Sequence, residues 1–461
     1  MKTKSLAVLA AIALVAVAIG QQSDALIKIQ RQQRAAIAVP DFRGSGAAQK
    51  FMDAFNQTLY GDLESSGSFR MVPKTMFPLE VPQRPQDFVP PAAAAAPQRK
   101  GGATPQTTRR APWLTDWSDP PVSANYLAFG YSGVQDGRLV VYGYLYNVTQ
   151  QDLANAQTIG KLYFGSLDEA GARQAAHDFA TDILAQFGVK GLAGTKIYYE
   201  SSLGGSTEIW SMDADGSNQK QLTFHKSITM GKAISPDGTM MAYAVQLKSG
   251  WVIQLQSLET GGRLSFFNAP GTLNWSPDFT PDGKRMVFAS NTAKEGSQEI
   301  YIADTNGRGM DRLTFNGMTH LDPKVNPKTG NEIVFVSDRT GMPQIYKMNT
   351  SGADVRMLTE GGGEAVTPAW HPDGQKIAFA WTKGFAPGNY NIFWMDVATR
   401  QYTQLTHGAG LNENPAWAPD GVHMAFSSTR EGGQQIWTML ADGTQLRKLT
   451  TRGRNRRPVW K

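Results

Sequence analysis

With 461 residues, 45 Lys and Arg, 39 Asp and Glu and a formal net charge of +6, the chain exceeds what one hydrophobic core serves, so two domains are expected. Cysteine is absent, which excludes disulfides, thiol nucleophiles and thiolate metal sites. Basic residues are interspersed with acids and no basic helix appears, so nucleic acid is not an expected partner.

Residues 1 to 25 read as a secretory signal. Lys2 and Lys4 precede the apolar run Leu6 to Ile19, and Ser23-Asp24-Ala25 offers small residues for cleavage, a cut after Gly20 being the alternative. The run is short for a spanning helix, and no integral membrane segment is expected after cleavage. Residues 26–194 read as a small α+β domain. Ala35 to Val39 is a buried strand, and Phe51, Phe55, Leu59 and Leu63, four apart, stripe a helix. Strands follow at Phe69 to Val72, Tyr126 to Gly130, Leu139 to Val148 and Thr158 to Phe164. A helix from about Asp168 to Phe187 ends at Gly188. The interruption from Pro82 to Pro112 is rich in Pro, Ala, Gln and Gly, and is expected to be disordered because it cannot bury enough apolar surface.

From Thr195 to Lys461 the chain repeats six times at a spacing near 45 residues. Turns at Ser235-Pro236-Asp237-Gly238, Thr280 to Gly283, Asn326 to Gly330, His371 to Gly374 and Ala418 to Gly421 each precede an aromatic or β-branched strand such as Lys376-Ile377-Ala378-Phe379-Ala380. A second strand follows, then a third carrying Leu222-Thr223, Leu264-Ser265, Leu313-Thr314, Leu358-Thr359, Leu405-Thr406 or Leu449-Thr450. A fourth, typified by Pro415-Ala416-Trp417, leads into the next turn. Four short antiparallel strands per unit, without helical period, describe a six-bladed β-propeller. The first unit lacks a Pro-Ala-Trp strand and the chain ends on a spare Arg457-Pro458-Val459-Trp460-Lys461, so the C-terminal strand is expected to complete the first blade and close the ring.

Signals for chemistry are weak. No Gly-x-Ser-x-Gly elbow accompanies the propeller. Asp213-Ala214-Asp215-Gly216 opens like a calcium loop, but Phe224 stands where the bidentate Glu is needed. The six histidines, His177, His225, His320, His371, His407 and His423, show no ligand spacing. No catalytic residue, cofactor or metal site is assigned. Arg447, Lys448, Arg452, Arg454, Arg456, Arg457 and Lys461 crowd the C-terminus, as a solvated rim or as a site for an acidic partner.

The order of features (signal, small α+β domain, six blades with Pro-Ala-Trp, Ser-Pro-Asp-Gly, Lys-Ile-Ala-Phe and Leu-Thr motifs) resembles the TolB family, the periplasmic component of the Tol-Pal system. Leu26-Ile27-Lys28-Ile29 resembles the family's mature N-terminus. The resemblance implies a monomeric, non-catalytic periplasmic protein. Its propeller docks a Pal-like peptidoglycan-associated lipoprotein and its N-terminal segment communicates with a TolA-like inner-membrane protein, in envelope integrity and division. Departures are the long interruption, the altered turn Asn326 to Gly330, and Lys232-Ala233-Ile234 where Pro-Ala-Trp is expected. Propellers bind at the mouth of the central channel, where loops enter the innermost strands. Those loops carry Thr229, Asn274, His320, Asp322, Glu364, Thr367, Glu413, Asn414, Arg456 and Arg457, the candidate partner-binding residues, with Leu26 to Ile29 as the second candidate segment. A secreted propeller lyase or hydrolase using channel histidines and carboxylates is the alternative.

Overall fold

The computed structural model describes residues 34–90, 111–293 and 297–461. The expected signal, the segment Leu26 to Ile29 and most of the Pro82 to Pro112 interruption lie outside the described residues. The chain divides between Ala193 and Gly194 into two compact units.

The N-terminal unit is a mixed sheet of β1 (Ala36–Ala38), β2 (Arg43–Gly44), β3 (Arg70–Met71), β4 (Tyr126–Gln135), β5 (Arg138–Asn147) and β6 (Gln157–Gly165). Its order is β3-β1-β4-β5-β6, with β2 also on β4. β1 runs parallel to β3 and β4, and β4 to β6 form an antiparallel meander. Helices α1 (Met52–Ser65) and α2 (Glu169–Gln186) cover one face. Phe55, Leu59 and Leu63 of α1 meet Ala176, Phe179 and Ile183 of α2 in that core, as the four-residue spacing requires. Asp168 starts α2 by accepting the Gly171 amide at 2.7 Å.

The opposite face carries a second core that sequence periodicity did not suggest, built on Val72, Phe88, Leu114, Trp117, Phe129 and Tyr146. It narrows the interruption expected to be disordered. Residues 82–90 and 111–112 belong to the fold: Phe88 is 5% exposed and stacks on Tyr146 at 5.6 Å, and the Val89 amide donates to Pro112 O at 3.1 Å. With its ends already joined, replacing residues 91–110 by a short Gly-Ser loop is expected to move the melting temperature by no more than about 2 °C, since closure entropy varies slowly with length. Phe88→Ala is expected to cost about 3–5 kcal/mol in urea unfolding.

The C-terminal unit is a six-bladed propeller of six four-stranded antiparallel sheets. The Pro-Ala-Trp segment is not the fourth strand of its own unit but the innermost strand of the next blade, paired with the strand after the Pro-Asp-Gly turn. Ala416↔Ala425 and Trp417↔Met424 show this in blade 6. That phase shift explains the ring closure. Asn455–Trp460 is the inner strand of blade 1, antiparallel to Lys196–Ser201, with Asn455↔Ser201 and Trp460↔Ile197 in register. Inner strands of blades 2 to 6 are Thr229–Ile234, Asn274–Phe279, His320–Val325, Ala365–Trp370 and Asn412–Trp417.

Outside blade 2, Leu-Thr does not lie within a paired strand either; it follows an outer strand of two or three residues, and its threonine does a specific job. Thr223, Thr314, Thr359, Thr406 and Thr450 accept the amides of Ile209, Ile300, Ile345, Ile392 and Ile436 at 2.8–3.0 Å. Each hydroxyl donates to the preceding Glu208, Glu299, Gln344, Asn391 or Gln435. Those side chains then reach the loop entering the next blade, as Glu299 does to the Gly317 amide at 2.9 Å and Gln344 to Gly363 O at 2.7 Å. In blade 2 the motif is shifted from Leu264-Ser265: Phe266 enters the core and Asn268 holds both the amide and the carbonyl of Ile253 at 2.9 Å. A polar strap therefore ties successive blades where apolar packing alone would leave backbone groups unmet.

Candidate functional site

Each inner strand carries a two-against-one bulge, seen as the register break between Glu413/Ala416 and its counterparts. Its third residue takes positive φ in every blade: Arg457 (49°), Gly231 (60°), Ser276 (51°), Asp322 (48°), Thr367 (54°) and Asn414 (55°). Five of these are not glycine, and a β-branched threonine there is a strained choice. The next residue is proline in five blades, a position in which a sheet tolerates it because the strand is an inner edge and bulged. The fold thus repeats one unusual backbone six times around the axis.

Four of the residues singled out from the sequence, Asp322, Thr367, Asn414 and Arg457, occupy this ring. Arg457 of blade 1 reaches Asp322 of blade 4, diametrically opposite, at 3.7 Å, and Ser276 donates to the same carboxylate oxygen at 2.7 Å. The Arg457 side chain keeps 34% of its accessible surface. Burial alone would lower its pKa, but Asp322, Glu200 and Glu413 outweigh that and raise it. The Thr367 hydroxyl is buried without a hydrogen-bond partner, and Asn414 accepts from Ser427 at 3.3 Å.

Glu413 and Arg456 stand one residue earlier, on the same strands. Burial pushes the Glu413 carboxyl upward against the opposing pull of Arg457, Arg454 and Arg456. Arg456 donates to the fully buried Glu200 at 3.1 Å. Glu364 lies in the loop before the blade 5 inner strand and accepts from the Tyr390 hydroxyl, whose pKa rises first through burial and then through that bond.

The other three candidates are not at the surface. Thr229, Asn274 and His320 are the first residues of their strands and are 0, 3 and 0% exposed. Thr229 donates to Glu208 at 3.3 Å, Asn274 to Asn268 at 3.1 Å, and His320 lies 3.5 Å from Glu299 and 2.6 Å from Asn316. They belong to the straps between blades, and burial lowers the His320 pKa to about 4, so it is neutral there. Side chains entering the paired strand at this position face the neighbouring blade, which removes them from a direct contact role. The candidate segment Leu26 to Ile29 lies outside the described residues.

The sequence reading missed Ser276, Glu200 and the role of Lys232. Aligning repeats on the third inner-strand residue would have found Ser276; nothing local marks Glu200. The basic C-terminus does not form one patch: Lys448 pairs with Glu431 at 3.1 Å, Arg454 donates to Gln434 at 3.0 Å and Arg447 to Asp215 O at 3.2 Å. Among the described residues, no group of three or more His, Asp or Glu side chains is placed to hold a metal, and no helix is long and apolar enough to cross a membrane.

Comparison with known proteins gives a consistent result. A family model for the TolB beta propeller domain matches residues 184–384 and 360–461, and one for the TolB amino-terminal domain matches residues 25–93. The Protein TolB homolog of Chlorobium chlorochromatii is 32% identical over 221 residues, 47% of each chain. The Tol-Pal system protein TolB of Bordetella pertussis is 30% identical over 234 residues, 50% of this chain and 51% of that one. These alignments span about half the length of the curated relatives. The crystal structure of TolB from Acinetobacter baumannii superposes with a TM-score of 0.73 at 24% identity, covering 93% of this chain and 96% of that one, a likeness of fold. Two family models in the order of the two structural units, one spanning the whole propeller, show that the chain belongs to the TolB family.

Proposed function

We propose that the protein is a periplasmic, non-catalytic binding component of a Tol-Pal system. Its channel mouth holds a Pal-like peptidoglycan-associated lipoprotein, and its N-terminal segment, Leu26 to Ile29, engages a TolA-like inner-membrane protein, in support of envelope integrity and constriction. The observation that supports the reading is the ring of bulges, which recurs at Asp322, Thr367, Asn414 and Arg457 on four inner strands, with Glu413 and Arg456 one residue earlier on two of them. Rigid strands position these groups, so a partner meets them preorganised and little ordering entropy is lost on docking.

Calorimetric titration with the soluble lipoprotein domain encoded in the same genome tests it. Reversing Arg456 and Arg457 to Glu, in a variant whose melting transition shows a folded propeller because Arg456 also pairs with the buried Glu200, is expected to weaken the complex more than tenfold, because truncating or inverting a charged contact at an interface centre costs about 2 kcal/mol or more. Asp237→Lys, at a turn on the other end of the blades, is expected to leave affinity unchanged. Equal affinity in the Arg456/Arg457 variant would move the site elsewhere, and turnover of a polysaccharide or peptide lost in the same variant would favour an enzyme.

A further inference from the structure

Blade 2 departs from the other five at the fourth residue of its inner strand, where Lys232 replaces the proline found at positions 277, 323, 368, 415 and 458. The preceding Gly231 adopts positive φ without steric cost, so this bulge needs no side chain of its own and the following position is free for another use. Lys232 is 3% exposed, and its ammonium donates to the backbone carbonyl of Arg457 across the seam between blade 2 and the ring-closing strand.

The charged groups facing it are Glu200 of blade 1, Arg456 and Arg457 of the closing strand, and Lys324 of blade 4. Three of the nearby carboxylates are already engaged. Glu200 accepts from Arg456 at 3.1 Å and from the Gly231 amide at 2.8 Å. Asp322 meets Arg457 and Ser276, and Asp278 meets Lys324 at 3.3 Å and the Val325 amide at 2.9 Å. The fourth acid, Glu413, lies among Arg454, Arg456 and Arg457 and accepts from Gln434 at 3.4 Å, so Lys232 has a carbonyl dipole in place of a counter-charge of its own. Burial first, and then Arg457, Lys324 and Arg456, bring its pKa down to about 7 despite Glu200.

We infer that this seam is built to receive a carboxylate, an acidic side chain or chain end of the docking partner that enters beside Arg456 and Arg457, and that Lys232 takes up a proton when it arrives. The inference rests on the channel mouth being the partner site. Arg456 and Arg457, with 28 and 34% of their side chains accessible, make the contact; Lys232 acts behind them as a positioning and specificity-determining residue. The sign follows from linkage. A carboxylate nearby raises the pKa of Lys232 above its value in the free protein, so between the two values binding consumes a proton and affinity increases as pH falls. A rise of about one unit corresponds to a tenfold gain.

The test is titration of the full chain with the soluble lipoprotein domain and, separately, with a hexaglutamate peptide, in HEPES and in Tris near neutral pH. The different ionisation enthalpies of the two buffers report the protons exchanged. The expected result is net proton uptake that tightens binding about tenfold on acidification through the pKa of Lys232, and that vanishes in Lys232→Met. Lipoprotein binding without proton uptake, or with the same uptake in Lys232→Met, overturns the inference and leaves the partner assignment standing. Hexaglutamate binding with Lys232-dependent uptake, but no lipoprotein binding, overturns the partner assignment and leaves the inference. Binding of neither overturns both. If Lys232→Met fails to fold, the buffer comparison on the unmodified chain still decides, because its absence of uptake is sufficient to reject the proposal.

Discussion

Deleting Arg452 to Lys461 is expected to abolish the cooperative unfolding transition of the propeller. The deletion removes the inner strand of blade 1, with four paired positions against Lys196–Ser201 and the bonds between the backbones of Lys461 and Lys196. It also removes Trp460, 5% exposed, whose indole donates to Thr195 at 3.0 Å, and so uncovers the strand it pairs with at Ile197. It also strips Arg456 from the fully buried Glu200, leaving a buried carboxylate without its cation, which alone costs about 3–5 kcal/mol. An open blade edge then presents unpaired backbone to other chains, so aggregation should accompany the loss of stability. Calorimetry and light scattering check this; a truncated chain that melts at the parent temperature and stays monomeric would show that closure contributes little.

Glu299→Ala is expected to cost about 3–5 kcal/mol in urea unfolding, the largest effect of any single strap residue. Glu299 is 0% exposed and accepts from the Arg312 guanidinium at 2.8 Å, the Gly317 amide at 2.9 Å and the Thr314 hydroxyl, with His320 at 3.5 Å. Truncation leaves the buried Thr314 hydroxyl without this acceptor, strips Arg312 of its carboxylate and lets the loop into blade 4 swing free. Glu299→Gln is expected to cost less, about 1–2 kcal/mol, because blades 4 and 6 already use Gln344 and Gln435 in this place. A Glu299→Ala loss no larger than the glutamine variant's would mean that the strap fills space rather than holding charge.

The strap also shows where sequence reasoning stops. Leu-Thr is visible as a motif in five units and as Leu-Ser in the sixth, yet its threonine bonds fourteen residues back to an isoleucine amide, a distance that periodicity does not describe. In blade 2 the visible Leu264-Ser265 is out of step, and the equivalent work falls to Asn268, which spatial equivalence reveals and string matching does not. Likewise Thr229, Asn274 and His320 look like polar residues of entering loops, whereas strand alternation turns their side chains into the contact between blades.

What the sequence determined by itself was the architecture. Five copies of a turn followed by an aromatic or β-branched strand, with a sixth such strand at Lys196, point to six sheets, and a spare Pro-Val-Trp at the end finds its partner in the incomplete first blade. The helix stripes of the N-terminal unit and its meander were legible for the same reason, since local period sets which face is buried. The tertiary structure alone decided which charges meet. Arg457 and Asp322 are 135 positions apart and face each other across the ring because blades 1 and 4 of six are opposite. Phe88, inside a stretch of prolines, is core because Phe129 and Tyr146 leave a place for it. Lys232 is an ordinary surface residue by composition, and becomes a buried, half-compensated cation because the chain's last strand closes over it. Burial and charge balance are properties of the assembled ring, set by contacts between distant segments, whereas strand period is a property of each segment alone.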